Sequence, residues 1–399
     1  MSGSNSSSSS GRSMLRTLIL VLATTLIGVN SVGATPATQS SWTSALSQVY
    51  ETTDRLPLPN LGNIVAHDPN IVQHDGNYYL FKGGHHVPIF KSDNLNGPWE
   101  KIGTVLDQNS IIDVGNRSRP WAPTTIYRDG MFYCYYTLST HGKRNSAIGV
   151  ATTNKLDGSP WNDHGAVIRT GKGPGSDIHP FSETNAIDAS FIMDQNSNKS
   201  YLNYGSFWHG IWQLPLADDL LSIESPENPD AVQLTFIPNQ KIRPQEGSWM
   251  SYHDGYYYVW FSQGKCCKFG ESEHDFPARG REYNIRVGRS RDIRGPFKDK
   301  DGESLVEGGG TIVYASNHGI VYAPGGLGVL AGNDSSRDIL YYHYLNTSIG
   351  FKDGDAHLGW NWLTYEDGWP EVTTDSAGAI FGIPSWLYLS ILLCFWLYI

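Results

Sequence analysis

Three acidic residues stand at comparable places in the chain. Asp68 lies 7 residues before Asp75, Asp188 lies 10 before Asn198, and Glu246 lies 8 before Asp254. Each sits in a short, largely apolar segment: HDPNIV at 67–72, AIDASF at 186–191 and QEGSWM at 245–250. Carboxylates seldom gather on apolar strands without a task. Brought together, they could split an acetal. One carboxyl, held protonated, gives its proton to the leaving oxygen, while an ionised partner activates water or attacks the carbon. A third acid nearby can raise the proton donor's pKa by like-charge repulsion and orient it. Acids on separate elements across a channel favour the wider separation, about 6.5–9.5 Å, that admits water and inverts configuration.

The elements that would have to position these acids repeat. A polar turn followed by an aromatic strand occurs five times: HDGNYYLF at 74–81, RDGMFYCYY at 128–136, NSNKSYLNY at 196–204, HDGYYYVWF at 253–261 and SSRDILYYHY at 335–344. Asp-Gly and Asn/Ser clusters accept the dihedrals of tight hairpins. The turns recur at intervals of 54, 69, 56 and about 83 residues, each enough for one four-stranded antiparallel sheet. Five such sheets set radially form an all-β, five-bladed β-propeller. A sandwich or jelly roll with Tyr-rich hairpins is the alternative. The segment before each hairpin would be the blade's first strand, including Trp121-Ala122-Pro123-Thr124 and Tyr322-Ala323-Pro324-Gly325. With first strands innermost, Asp68, Asp188 and Glu246 project into one end of the channel.

Composition agrees with strands. Aromatics make up 12 % of the 399 residues and charged residues 17 %, with 43 Gly and 21 Pro. Such a mixture excludes a coiled coil, a helical bundle and a disordered acidic chain. The net charge of −10 argues against nucleic acid as a partner. Thr17–Val29 is an uncharged apolar run after Arg12 and Arg16, ending in small residues near Ala34, as in a secretory signal. Residues 379–399 form an uncharged apolar tail behind Ser376, Ala377 and Gly378, which reads as a GPI-attachment signal over 377–399; a tail-end membrane helix is the other reading. Both place the protein at the outer cell surface. The expectation is one propeller domain over 35–376, a monomer, tethered through GPI to the outer leaflet. Sequons at Asn116, Asn198, Asn333 and Asn346 fit an exported chain. Cys134 reads as a buried thiol, and the adjacent Cys266 and Cys267 either close a vicinal disulfide or are simple loop cysteines. GKGPGSD at 171–177 lacks the phosphate-loop spacing, and no HExxH, CxxC pair or Gly-x-Ser-x-Gly elbow occurs. No organic cofactor is called for.

With HDPNIV, NAIDASF and EGSWM go YGSFWHGIW at 204–212 and YNIRVGRSRDIRGPF at 283–297. Together, in this order over about residues 60–365, they resemble glycoside hydrolase family 43, and most of all its fungal endo-1,5-α-L-arabinanases. That resemblance implies a five-bladed propeller acting on the α-1,5-linked arabinofuranose backbone of arabinan. It makes Asp68 the general base, Glu246 the general acid and Asp188 the residue that tunes and positions the acid. It also implies one structural calcium ion in the channel, held by a histidine and water, for which His318 in Ser316-Asn317-His318-Gly319 is the counterpart. The substrate-binding candidates are Asn185, Ser206, Phe207, Trp208 and Trp121, with Trp249 a further aromatic beside the acids. Two positions depart from the family pattern: Thr124 where an Asp is common, and Ala189 where a Pro is common. His85 and His86 either line the cleft or lie on the surface. An exo-acting arabinofuranosidase or xylosidase of the same fold, and a non-catalytic carbohydrate-binding propeller, are the competing functions.

Overall fold

The hairpin turns form as their residues demand. In a computed structural model describing residues 56–270, 275–332 and 337–373, the two central turn residues are left-handed at Asp75-Gly76 (φ 47° and 74°), Asp129-Gly130 (51° and 82°) and Asp254-Gly255 (44° and 79°). Such turns match the twist of the strands they join. Asn198, with φ 59°, turns the third hairpin. Part of the fifth turn, both terminal signals, Asn333 and the expected domain limits lie outside the described residues.

The strands sort into five antiparallel sheets. Strand β1 (Asn60–Val65) comes first and is set aside for the last blade. Blade one is β2 (Asn70–His74), β3 (Asn77–Phe81), β4 (Pro88–Ser92) and β5 (Glu100–Thr104). Blade two is β6 (Trp121–Arg128), β7 (Met131–Leu138), β8 (Ser146–Thr153) and β9 (Asn162–Thr170). Blade three is β10 (Ser190–Met193), β11 (Ser200–Tyr204), β12 (Ile211–Pro215) and β13 (Val232–Thr235). Blade four is β14 (Gln245–His253), β15 (Tyr256–Gln263), β16 (Asn284–Ser290) and β17 (Thr311–Tyr314). Blade five is β18 (Val321–Leu330), β19 (Ile339–Asn346) and β20 (Ala356–Glu366), with β1 and β21 (Trp369–Thr373) both paired to β20. The first strand among the described residues therefore completes the last blade and closes the ring, leaving only the short outer edges of the blades. Among the described residues, helical structure is limited to short 3₁₀ turns.

The five predicted hairpins are the first and second strands of the five blades. The longest interval arises in blade four, where 264–283 and 291–310 leave the sheet between consecutive strands. First strands meet in a ring: β2 packs beside β6 and β18, and β10 and β14 beside each other. The aromatic excess fills the wedges between blades. Successive residues on a strand face opposite sides, so Tyr135 joins the cluster between blades two and three, while Tyr136 joins that between one and two. Tyr341 and Tyr342 divide in the same way, as do Trp260 and Phe261. Strands buried on both faces read as unbroken apolar runs. Each such ring removes about 150–250 Å² from water.

Candidate active site

The acids owe their placement to a backbone kink repeated in every blade. Asp68, Ala122, Asp188, Gly247 and Ala323 all have positive φ, at 48°, 37°, 58°, 58° and 49°. The next residues are Pro69, Pro123, Ala189, Ser248 and Pro324; the kink immediately precedes β2 and β10 and lies near the start of β6, β14 and β18. A left-handed non-glycine residue costs of order 1 kcal/mol and persists only where its surroundings fix it. Here side chains of neighbouring strands do so. The Asp188 amide donates to Thr137 Oγ1 of β7 (3.1 Å), and the Asp68 amide donates to His343 Nδ1 of β19 (3.1 Å).

This register corrects the expectation that the three acids are equivalent. Asp68 and Asp188 hold the kinked position, whereas Glu246 precedes it by one residue and Gly247 holds the kink. The pairing of β14 with β15 slips between Glu246 and Trp249, and such bulges re-aim a side chain beside active sites. The Gly247 amide donates to Asp188 Oδ2 (3.0 Å), so Asp188 is bonded to the residue immediately after Glu246. A cavity of about 350 Å³, continuous with solvent, is lined by residues of all five first-strand segments, among them Asp68, Thr124, Asp188, Trp249 and Gly326.

The electrostatics separate two of the acids by role. Burial, with the negative charge of Asp68 adding to it, pushes Glu246 up to about 7, although a Ser206 Oγ bond to Oε2 (2.9 Å) works in the opposite direction. Burial and the neighbouring Glu246 and Asp68 likewise raise Asp188 well above the usual carboxylate range. Burial would raise Asp68 too, but the neighbouring His67 imidazole, through its charge and hydrogen bond, outweighs it and holds Asp68 below that range. His67 Nδ1 lies 3.1 Å from Oδ2 and His343 Nδ1 3.4 Å from Oδ1. One acid thus keeps its proton near neutrality while another stays ionised, as proton-donor and base roles require.

The other expected residues take different places. Ser206 is buried and bonds Glu246, so it acts on the acid. Asn185 is buried too, its Oδ1 accepting from Ser146 Oγ (2.7 Å). Phe207, Trp208 and Trp121 are half-buried, and Phe207 holds a left-handed backbone (φ 50°). Trp249 lines the cavity and packs edge-on against Tyr341. His85 and His86 stack on each other in a loop bonded to residues 118 and 120, just ahead of Trp121. Thr124, in place of an acid, donates to the Ala189 carbonyl (2.6 Å) and ties blade two to blade three. Cys266 and Cys267 are disulfide-bonded, and Cys134 is a buried thiol.

His318 lies outside the set of residues lining this cavity. Its Nε2 is 3.2 Å from Glu282 Oε1, and Glu282 Oε2 accepts from the Gly280 amide. Calcium takes six to eight ligands, mostly oxygen; the expected site is one imidazole with waters, and His318 Nε2 beside the Glu282 carboxylate offers one nitrogen and one oxygen toward it. Around Asp68, the atoms of His67, Asp68 and His343 that could face a metal lie within 4.8 Å of one another. Those donors are largely occupied by each other, and two of the three are nitrogens. The cluster around Asp68 does not fit calcium, and no step of the chemistry below passes through a metal.

Three residues of the site escaped the sequence reading. His67 was visible as the neighbour of Asp68. His343 was visible only as an imidazole in the apolar strand ILYYHYLN. Tyr283, buried and hydrogen-bonded toward Glu246 and Ser262, was visible only as the first residue of the motif YNIRVGRSRDIRGPF.

A raised acid, an ionised base and a third carboxyl bonded beside the acid, gathered at a propeller channel, are the equipment of a glycoside hydrolase. Residues 61–370 match the family described as Glycosyl hydrolases family 43. The chain is 54 % identical over 327 residues to "Probable arabinan endo-1,5-alpha-L-arabinosidase D" of Emericella nidulans, covering 82 % of this chain and 85 % of that protein. Among solved structures, the α-L-arabinanase of Cellvibrio cellulosa superposes with a TM-score of 0.67 at 25 % identity, covering 78 % of this chain and 96 % of that one. An exo-1,5-α-L-arabinanase from a bovine ruminal metagenomic library gives 0.66 at 27 %, covering 79 % and 99 %. The chain belongs to glycosyl hydrolase family 43.

Proposed function

We propose that this protein is an endo-1,5-α-L-arabinanase that cuts internal α-1,5-L-arabinofuranosidic bonds of arabinan with inversion. The observation that carries the proposal is the opposed surroundings of Glu246, buried and bonded by Ser206, and Asp68, set against His67, read together with the 54 % identity to the Emericella nidulans protein. Glu246 gives its proton to the glycosidic oxygen as the bond to the anomeric carbon breaks. Asp68 takes a proton from the water whose oxygen bonds that carbon from the opposite face. Asp188 holds the strand at Gly247 and so the direction of Glu246. Trp121, Phe207, Trp208 and Trp249 offer flat faces to the sugars. The terminal segments extend the proposal to an exported enzyme tethered by GPI at the cell surface. A disulfide between Cys266 and Cys267 is compatible with an oxidising compartment.

The test is digestion of linear arabinan, debranched arabinan and xylan. Mixed short arabino-oligosaccharides are the expected products. Monomeric arabinose alone would instead favour the exo activity named for the metagenomic neighbour, and no product from any polymer would favour a binding module. Glu246→Gln and Asp68→Asn are each expected to lower kcat on arabinan by at least about 10³-fold with the fold intact. Near-normal turnover in either variant would overturn its assignment.

A further inference from the structure

The base Asp68 is gripped by groups from the blade before it. Its backbone amide donates to His343 Nδ1 (3.1 Å), 275 residues away in sequence. The same nitrogen lies 3.4 Å from Asp68 Oδ1. His343 is buried on β19, the second strand of blade five, and its ring stacks on His67 with centroids 4.2 Å apart. Tyr283 stacks on the same ring more distantly, at 6.0 Å. An imidazole reaches the channel from a second strand only because the first strand gives way. At Gly326, a methyl group would collide with Asp68 Oδ1 and stand 2.6 Å from His343 Nδ1, and at Gly325 it would overlap the Tyr283 ring. Residues 325–326 of β18 are thus a window through which the second layer touches the base.

The arrangement has a counterpart that shows what it does. At Asp188, the acceptor for the kinked residue's amide is Thr137 Oγ1, again from the second strand of the preceding blade. The amide of the third kinked residue considered, Ala323, is held by Ser316 Oγ (2.9 Å). With Gly247 on Asp188 Oδ2, four of the five kinked amides have a side-chain acceptor, and a left-handed backbone is kept only where its surroundings fix it. At Asp68 that acceptor is an imidazole, which also borders the carboxylate. An Nδ1 that accepts from an amide leaves the ring proton on Nε2 in the neutral ring, and that Nε2 is buried without a hydrogen-bond partner.

We propose that His343, acting through the glycine window of β18, is the positioning residue for the general base, fixing the left-handed backbone of Asp68 and with it the direction of the carboxylate toward the attacking water. The inference rests on the assignment of Asp68 as base and deepens it. Misplacing a reacting group by about 1 Å can cost about 10²-fold in rate. His343 does not itself touch the sugar, so its loss is expected in kcat and not in KM.

The experiment compares His343→Leu, which fills the space without an acceptor, with His343→Asn, whose Oδ1 can stand where Nδ1 stood, on linear arabinan. His343→Leu is expected to lower kcat about 10- to 100-fold with KM within about two-fold, and His343→Asn to recover most of that loss. Introduced into Asp68→Asn, His343→Leu is expected to leave the residual rate unchanged, since there is no base left to aim. Should His343→Leu fail to fold, Gly326→Ala, which presses His343 and Asp68 apart from the other side, carries the same comparison. Wild-type kcat in His343→Leu with Asp68→Asn inactive overturns the inference, as does an equal loss in the Asp68→Asn background. Full activity in Asp68→Asn alone overturns the base assignment, and this inference with it.

Discussion

Glu246 and Asp68 are close enough to act on each other electrostatically and yet are pulled in opposite directions, for different reasons. Glu246 is buried, the loss of water outweighs the Ser206 and Tyr283 hydroxyls that bond it, and a negative neighbour adds to that penalty. Asp68 has the His67 imidazole in contact, which favours its ionised form. The consequence is a pH profile with identifiable limbs. Glu246 must be protonated to act, so kcat/KM is expected to fall as pH rises through about 7. Because Glu246 and Asp188 lie close, that limb belongs to the pair. Asp68 must be ionised, and its pKa is depressed, so its own protonation is expected to reduce the rate only below the usual carboxylate range. Ser206→Ala provides the check on sign. The hydroxyl favours the ionised carboxylate, and its removal is expected to move the alkaline limb to higher pH. A limb that stays fixed or moves down would contradict the account.

At the scale of elements, the first strands are held to each other by few but specific polar ties. Thr124 Oγ1 donates to the Ala189 carbonyl, one residue beyond Asp188, and its environment is buried. Thr124→Val keeps the shape and leaves that carbonyl without its donor, at a cost of about 1–3 kcal/mol. The expected result is a lower unfolding midpoint in urea with a reduced kcat, because the kink that carries Asp188 loses a support. A variant as stable as the parent would show that the tie is redundant. The hairpins were legible in the sequence because their turns are set by local dihedral preference, as at Asp129-Gly130. The register of the acids was not. Whether the kink falls on Glu246 or on Gly247 depends on a slip in pairing between β14 and β15, which spacing from a turn does not record.

For the whole molecule, stability depends on how the ring is shut. Blade five takes β1 from one end of the described chain and β21 from the other, both on β20. The β20–β21 turn is fastened to blade four by Arg289, whose guanidinium covers Trp369 and Tyr256 and bonds the carbonyls of Asp367 and Gly368. Arg289→Ala is expected to cost about 1–2 kcal/mol, measurable as a lower unfolding midpoint, with kcat on arabinan unchanged. An unchanged midpoint would mean that β1 alone holds the closure.

The sequence by itself determined the all-β class, the five hairpins and the three acids, because strand alternation, turn chemistry and acids on apolar segments are local patterns. It did not determine the partners of those acids. His343 meets Asp68 across 275 residues, and the Tyr283 ring packs against β18 only because Gly325 leaves space for it. The reading of His318 as a calcium ligand came from a motif likeness, and in the fold that imidazole faces Glu282. A propeller brings its ends and blades together through closure of a ring. Which second-layer side chains look into the channel is therefore decided by the spaces between blades, and no stretch of sequence contains that space.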